Sequence, residues 1–357
     1  MLKKTVFNGI YRPAGGRHSA ARENTPEPTV EATIEITVEA TVETTPEATV
    51  EATGEGTPEA TAEATLPPGA MTSFPGPGTY TVRQQNPDGD RFYNVYIPFG
   101  YSDLGDPVAL VIVMHGAGGS GAGTESFTGF DLLADREHFV VVYPDGVNNG
   151  WNDDRVGNPG ISAVDDVRFL DRIVDFMTHS LNIDPLRVYA AGYSMGGMMS
   201  YRVGCELPQH FAAVASVAST MPIYLIDNCA DTPPVPVLVF EGTDDPVVPW
   251  MGIPGGYLSA AQTIGFWRDH NACTGSLSVE ILPDIVADDY TVVMRQQVSE
   301  CAADIVLYGV YFGGHTWPGH PIDTQIRLGQ TSRDIDATGL IWEFFSSHVN
   351  TTPSESD

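Results

Sequence analysis

The sequence predicts an α/β fold, a mostly parallel sheet with helices on both faces and an antiparallel hairpin at its N-terminal side. Three observations predict it. Short apolar runs with little alternation, at Val108 to Met114, Val140 to Tyr143, Val188 to Ala191 and Val235 to Phe240, read as strands covered on both faces. Between them lie amphipathic stretches such as Val164 to Leu181, where Val167, Leu170, Ile173, Val174 and Met177 recur at the helical spacings of three and four. Upstream, Thr79 to Val82 and Arg91 to Ile97 alternate on either side of the turn residues Asn86-Pro87-Asp88-Gly89, which is the pattern of a hairpin. Strands alternating with helices imply parallel crossovers, and sheets of that kind bind ligands at the carboxyl ends of their strands.

The chain divides by composition into a basic segment 1–24, a Thr/Glu-rich stretch 25–65, a Pro/Gly linker 66–78, a folded domain 79–349 and a short tail 350–357. The opening Met1-Leu2-Lys3-Lys4-Thr5-Val6-Phe7 resembles the charged start of a secretory signal, but no apolar run of seven residues follows, so it does not by itself predict export. From Thr25 to Ala64 come ten consecutive T-x-E-x tetrads with ten Glu and no basic residue. Read as a period of four, they offer no apolar face and place like charges every fourth residue, so the stretch is expected to be extended and disordered, a stalk or solubilising tail. Fully stretched, it would reach about 130 Å.

The net charge of −29 disfavours nucleic acid or an anionic membrane surface as partner. No window holds 18 consecutive apolar residues, so no transmembrane helix is predicted. Lys3 and Lys4 are the only lysines, which excludes a Walker-type phosphate loop or a Schiff-base lysine from the folded domain.

After the strand Val188 to Ala191 stands Gly192-Tyr193-Ser194-Met195-Gly196, followed by a helical pattern through Met198, Met199, Tyr201 and Val203. This is G-x-S-x-G between strand and helix, where glycines permit a tight turn that lifts a serine hydroxyl above the sheet. A second glycine-rich turn, His115 to Gly121, follows the first long strand and suits backbone N–H groups aimed at an anion. The Met195 amide and the Ala117 amide are the expected oxyanion donors. The same letters satisfy G-x-G-x-x-G through Gly116, Gly118 and Gly121, with Asp145 ending the next strand, as in a dinucleotide-binding fold. That fingerprint needs a helix opening at the glycines, and here the amphipathic pattern of Phe127, Phe130 and Leu133 is expected to begin only after Ala122-Gly123-Thr124.

Two further strand ends carry chemistry. Glu241-Gly242-Thr243-Asp244-Asp245 closes one, and Gly313-Gly314-His315-Thr316-Trp317 closes the run Ile305 to Phe312. The order Ser, Asp, His is that of α/β-hydrolases, with Asp245 favoured over Asp244 to orient His315. His320 is a rival base without a strand to position it, His115 reads as a scaffold for the glycine turn, and His138, His179, His210, His270 and His348 read as surface or packing residues. Trp151, Trp250 and Trp317 are candidates for an acyl pocket, with a core role as the alternative for each.

Four cysteines permit three pairings. Pairing neighbours, Cys205 with Cys229 and Cys273 with Cys301, would close loops of 24 and 28 residue separations, each contributing about 3 kcal/mol in the chain-entropy model. Free thiols are the alternative, and a zinc site has only the half His270-x-x-Cys273.

Taken together, several blocks resemble the polyhydroxybutyrate depolymerase and feruloyl or acetylxylan esterase family of α/β-hydrolases. They are His115 to Ser120, Trp151 with Asp165 to Leu170, Asp184 to Tyr189, Gly192 to Cys205, Gly242 to Pro249 and Gly313 to Gly319. The resemblance covers roughly residues 79 to 348. It implies a triad of Ser194, Asp245 and His315, two disulfides, and a secreted or surface-tethered protein. The chain departs from the family's pattern in showing no clear signal peptide, which weakens the expectation of export, and at Glu241, where a His often precedes the Gly-Thr. The expectation is therefore a serine carboxylester hydrolase with no metal or organic cofactor, whose partner is an ester of a plant polysaccharide or a polyester. A binding protein on a hydrolase scaffold is the alternative from outside that class. The acyl group and oligomeric state are not legible.

Overall fold

A computed structural model describes residues 36–40, 74–87, 89–154, 164–319 and 328–351. Strands β1 (Ile36–Ala40), β2 (Gly78–Asn86), β3 (Gly89–Ile97) and β4 (Val108–Met114) lead into helices α1 (Gly121–Thr128) and α2 (Phe130–Glu137). There follow β5 (Phe139–Pro144), α3 (Asp166–Ser180), β6 (Ile183–Tyr193), α4 (Met195–Glu206), β7 (Phe211–Val217), β8 (Val237–Gly242) and α5 (Ala260–His270). The chain closes with β9 (Leu277–Ile281), β10 (Val292–Val298), β11 (Ile305–Tyr311) and α6 (Ala337–Ser346).

All the strands join one sheet in the order β1-β2-β3-β5-β4-β6-β7-β8-β11-β10-β9. The central run from β5 to β11 is parallel, and antiparallel strands flank it on both sides. The hairpin closes where the turn residues predict, Asn86 pairing with Gly89. β4 alternates its side chains between two cores. Leu110, Ile112 and Met114 join one layer with Phe169, Leu170 and Ile173 of α3, Met199 of α4 and Trp267 of α5. Ala109, Val111 and Val113 join the other with Phe130 and Leu133 of α2 and Ile341 and Phe345 of α6. Each fully buried aliphatic side chain contributes about 1.5–3 kcal/mol of transfer free energy, and the double coverage is why these strands read as continuous apolar runs.

Three features lie outside the sequence expectation. β7 is wholly buried, but its Ala212, Ala213, Ala215 and Ser216 dilute the apolar signal. β9 and β10 form a second antiparallel flank, and β9 is exposed along its length. The third is β1, which comes from within the Thr/Glu stretch expected to be disordered. A T-x-E-x repeat also alternates with a period of two, and at Ile34, Ile36, Val38 and Ala40 the alternate positions are apolar or small, which is the strand pattern. β1 pairs antiparallel with β2, Ile36 opposite Gln84 through Ala40 opposite Tyr80. β1 thus lies upstream of the folded domain expected from residue 79. The basic segment 1–24, the rest of the 25–65 stretch and the first part of the linker lie outside the described residues.

Cys205 is bonded to Cys229 and Cys273 to Cys301, the neighbour pairing. Cys273 is therefore unavailable to a metal, and His270 is held by Thr232 and Asn271. No described helix is long and apolar enough to cross a membrane. Peptide mapping without reduction should recover these two linked pairs, and a Cys273→Ser/Cys301→Ser variant should lose about 3 kcal/mol in urea denaturation. Crossed pairs or four alkylatable thiols would contradict the assignment.

Candidate active site

Ser194 sits between the last residue of β6 and the first of α4, with φ 55° and ψ −118°. Such a backbone costs of order 1–3 kcal/mol outside glycine and persists only where the surroundings impose it. Here they do. The Ser194 amide donates to the Val217 carbonyl of β7 at 2.8 Å. A Cβ on Gly192 would lie 2.1 Å from the Gly196 carbonyl, and one on Gly196 would lie 2.2 Å from the Met114 carbonyl oxygen, so both glycines of the motif are required. The serine side chain makes no cap bond to α4. Met195 opens that helix, where the first amides have no intrahelical acceptor and the dipole is positive.

The glycine turn runs directly against the serine, since a Cβ on Gly116 would lie 3.2 Å from Ser194 Cβ. Ala117 follows as an exposed residue, while the Gly118 and Gly119 amides are bonded to the carbonyls of Asn149 and Gly116. Buried His115 braces the turn. Its Nε2 accepts from the Gly146 amide at 2.9 Å, so Nδ1 carries the proton and donates to the Gly116 carbonyl at 2.7 Å. Burial holds its pKa below the usual histidine range, which keeps the ring neutral and fits the expected scaffold role.

Helix α1 opens at Gly121, earlier than the amphipathic pattern suggests. The Gly121 amide, however, donates to Asp145 Oδ1 at 2.7 Å. A carboxylate thus occupies the N-terminus that a dinucleotide phosphate would need.

His315 and Asp245 meet at the ends of β11 and β8. His315 Nδ1 donates to Asp245 Oδ2 at 2.7 Å, and both side chains are almost fully buried. Asp245 Oδ1 accepts the amides of Val247 and Val248 at 2.7 and 2.8 Å. With Nδ1 so engaged, Nε2 is the acceptor nitrogen. Asp244 is exposed, and its carboxylate accepts the Thr243 hydroxyl. Tyr193, beside Ser194, ties the two ends together: its ring lies 5.0 Å from the imidazole and its hydroxyl donates to the His315 carbonyl at 2.6 Å.

Trp151 and Trp317 take the core role named as the alternative to an acyl pocket. Trp151 is buried against the His115 ring at 4.9 Å, and its Nε1 donates to the His115 carbonyl, so it braces the glycine turn from behind. Trp317 is core, edge-on to Phe127 and Phe130 with its Nε1 on Thr338. Trp250 is half-buried against Gly309 and Tyr311. The rival base His320 lies outside the described residues.

A supporting network escaped the sequence reading. Buried Arg91 of β3 pairs with Asp166 of α3 at 2.5 Å and covers the Phe169 ring at 3.9 Å. Asp166 accepts the Asn152 amide at 2.6 Å, and Arg202 of α4 donates to the Asn152 carbonyl at 2.5 Å. Together they fix the segment carrying Trp151. The signal available was charge at buried positions of an alternating strand and an amphipathic helix, which only tertiary contact reveals.

Residues 109–235 match the alpha/beta hydrolase fold family. Over 274 residues the chain is 30% identical to "Putative esterase NocK" of Nocardia uniformis subsp. tsuyamanensis, covering 71% of this chain and 78% of that one. It is 34% identical to feruloyl esterase B of Piromyces equi over 196 residues, 51% of this chain but 35% of that larger protein. The acetyl xylan esterase of Aspergillus awamori superposes with a TM-score of 0.52 at 15% identity over 73% of this chain and 96% of that one, a likeness of fold. The chain belongs to the esterases of the α/β-hydrolase fold, and it is a carboxylic ester hydrolase.

Proposed function

We propose that Ser194 is the nucleophile, His315 the proton carrier and Asp245 the orienting acid, with the Met195 and Ala117 amides as oxyanion donors. The observation that supports this most is the buried Asp245–His315 bond, made at two strand ends beside a strained serine turn. In the scheme, Nε2 of His315 takes the hydroxyl proton as Ser194 Oγ attacks the ester carbonyl carbon. The carbonyl π electrons move to oxygen, and the two amides stabilise that charge. Collapse expels the alcohol, which receives the proton from the imidazolium. Water then repeats the sequence on the acyl-enzyme and releases the acid. The scheme calls on no metal or organic cofactor.

The substrates we propose are polymer-derived esters of the feruloyl, acetyl-xylan or polyhydroxybutyrate type, in keeping with the names of the relatives. Two disulfides favour an oxidising compartment, so the proposed location is secreted or tethered at a surface by the Thr/Glu stretch.

On p-nitrophenyl acetate, Ser194→Ala and Asp245→Asn should each lower kcat by at least about 10⁴-fold. Equal rates for wild type and Ser194→Ala would leave only binding. A panel of methyl ferulate, acetylated xylan and hydroxybutyrate oligomers should show kcat/KM favouring one class by at least about tenfold. Activity on none of the three would contradict the substrate assignment.

A further inference from the structure

Glu241 is the one carboxylate in β8, and its surroundings are unusual. β8 is buried throughout, and alternation places Glu241 in the same row as Val237 and Val239, in the core layer that also holds residues of α4 and α5. Glu241 is 1% exposed, and neither carboxyl oxygen has a donor at ordinary hydrogen-bond geometry. Two hydroxyls on the segment after β7, Ser219 Oγ and Thr220 Oγ1, are buried without a partner as well. An ionised carboxylate in such a place would cost far more than a neutral acid.

The groups that act on it come from every neighbouring element. Asp245 approaches from the segment after β8, with His315 behind it, and the Ser219 amide from the segment after β7. The Tyr193 and Tyr201 hydroxyls, from the end of β6 and from α4, feel its charge and are themselves kept protonated by burial. Burial, then the Asp245 charge, raises the Glu241 pKa well above the carboxylate range, and the Ser219 amide opposes this only in part.

The lone pairs of Asp245 supply the remaining argument. A carboxylate has about four acceptor sites. Oδ1 takes two amides and Oδ2 takes the His315 Nδ1 proton, which leaves one site on Oδ2.

We propose that Glu241 is a positioning residue: a neutral carboxylic acid that donates its O–H to Asp245, completing that carboxylate's set of donors and moderating its pull on the His315 proton. The proposal rests on the reading of Asp245 and His315 given above. Removing the donor would concentrate charge on Asp245, favour the imidazolium and raise the His315 pKa. Activity would then begin at a higher pH.

The test is the pH profile of kcat/KM for wild type, Glu241→Gln, which keeps a neutral donor, and Glu241→Leu, which has none. A parallel NMR titration of the His315 imidazole is made in the Ser194→Ala background, where turnover plays no part. The leucine variant should move the acid-limb midpoint and the imidazole titration upward by about half to one pH unit, and the glutamine variant should return both to wild type. Wild-type midpoints in both variants would overturn the proposal, leaving Glu241 as filler. Where the leucine chain does not fold, Glu241→Met replaces it. Independently of any such variant, the infrared difference between wild type and Glu241→Gln at neutral pH should contain the carbonyl stretch of a protonated acid, and carboxylate bands there would overturn the proposal. If Asp245→Asn leaves the imidazole titration unchanged, the fault lies with the assignment of Asp245, and not with Glu241.

Discussion

The backbone contact between the serine turn and the glycine turn sets the geometry of everything around it. Gly196 touches the carbonyls of Met114 and His115, and Gly192 touches Gly196 itself, at separations no side chain could tolerate. These contacts hold the first residues of α4 against the end of β4. They force Ser194 into positive φ and bring Gly116 alongside it. The strain is supported by the parallel pairing of β4, β6 and β7, each hydrogen-bonded to the next and buried on both faces. A less completely packed sheet would relax the turn, and the serine would lose its position with it.

Around that contact two histidines have opposite roles, decided by their partners. His115 spends both ring nitrogens on backbone groups of the turns it braces, and burial keeps it neutral. Among the described residues His315 spends only Nδ1, on a carboxylate already held by two amides. The first is thereby a strut and the second a group able to carry a proton. Further out, the Arg91–Asp166 pair and Arg202 anchor the Asn152 backbone and so keep Trp151 against His115. A buried pair of this kind adds little net stability, while losing one partner costs about 3–5 kcal/mol. Its value here lies in fixing a segment next to the site.

The parts of this arrangement legible in sequence are those written locally. The G-x-S-x-G turn, the Gly-rich turn and the two strand ends each carry their chemistry within a few residues of an apolar run, so position and role can be read together. Asp245 could be preferred over Asp244 by motif, and the fold explains the difference: one carboxylate is buried under His315 and the other faces solvent. What stayed hidden depends on contacts across the chain. A tryptophan looks the same in sequence whether it lines a pocket or props a loop, and Trp151 and Trp317 are both spent on packing. β7 is rich in alanine, and β9 lies exposed at an edge, so neither gives the period of a covered strand. In the Thr/Glu repeat the period of four concealed a period of two, which the β1 pairing with β2 uses.

The central claim is that a single alcohol, at residue 194, carries the acyl group between substrate and water. The most direct measurement is mass spectrometry of protein quenched in acid during turnover of a slowly deacylating ester, followed by mapping of the modified peptide. The account predicts one acyl group per chain, borne by the peptide containing Ser194 and discharged on further incubation. Turnover with no acylated peptide, or with the acyl group on another residue, would contradict it.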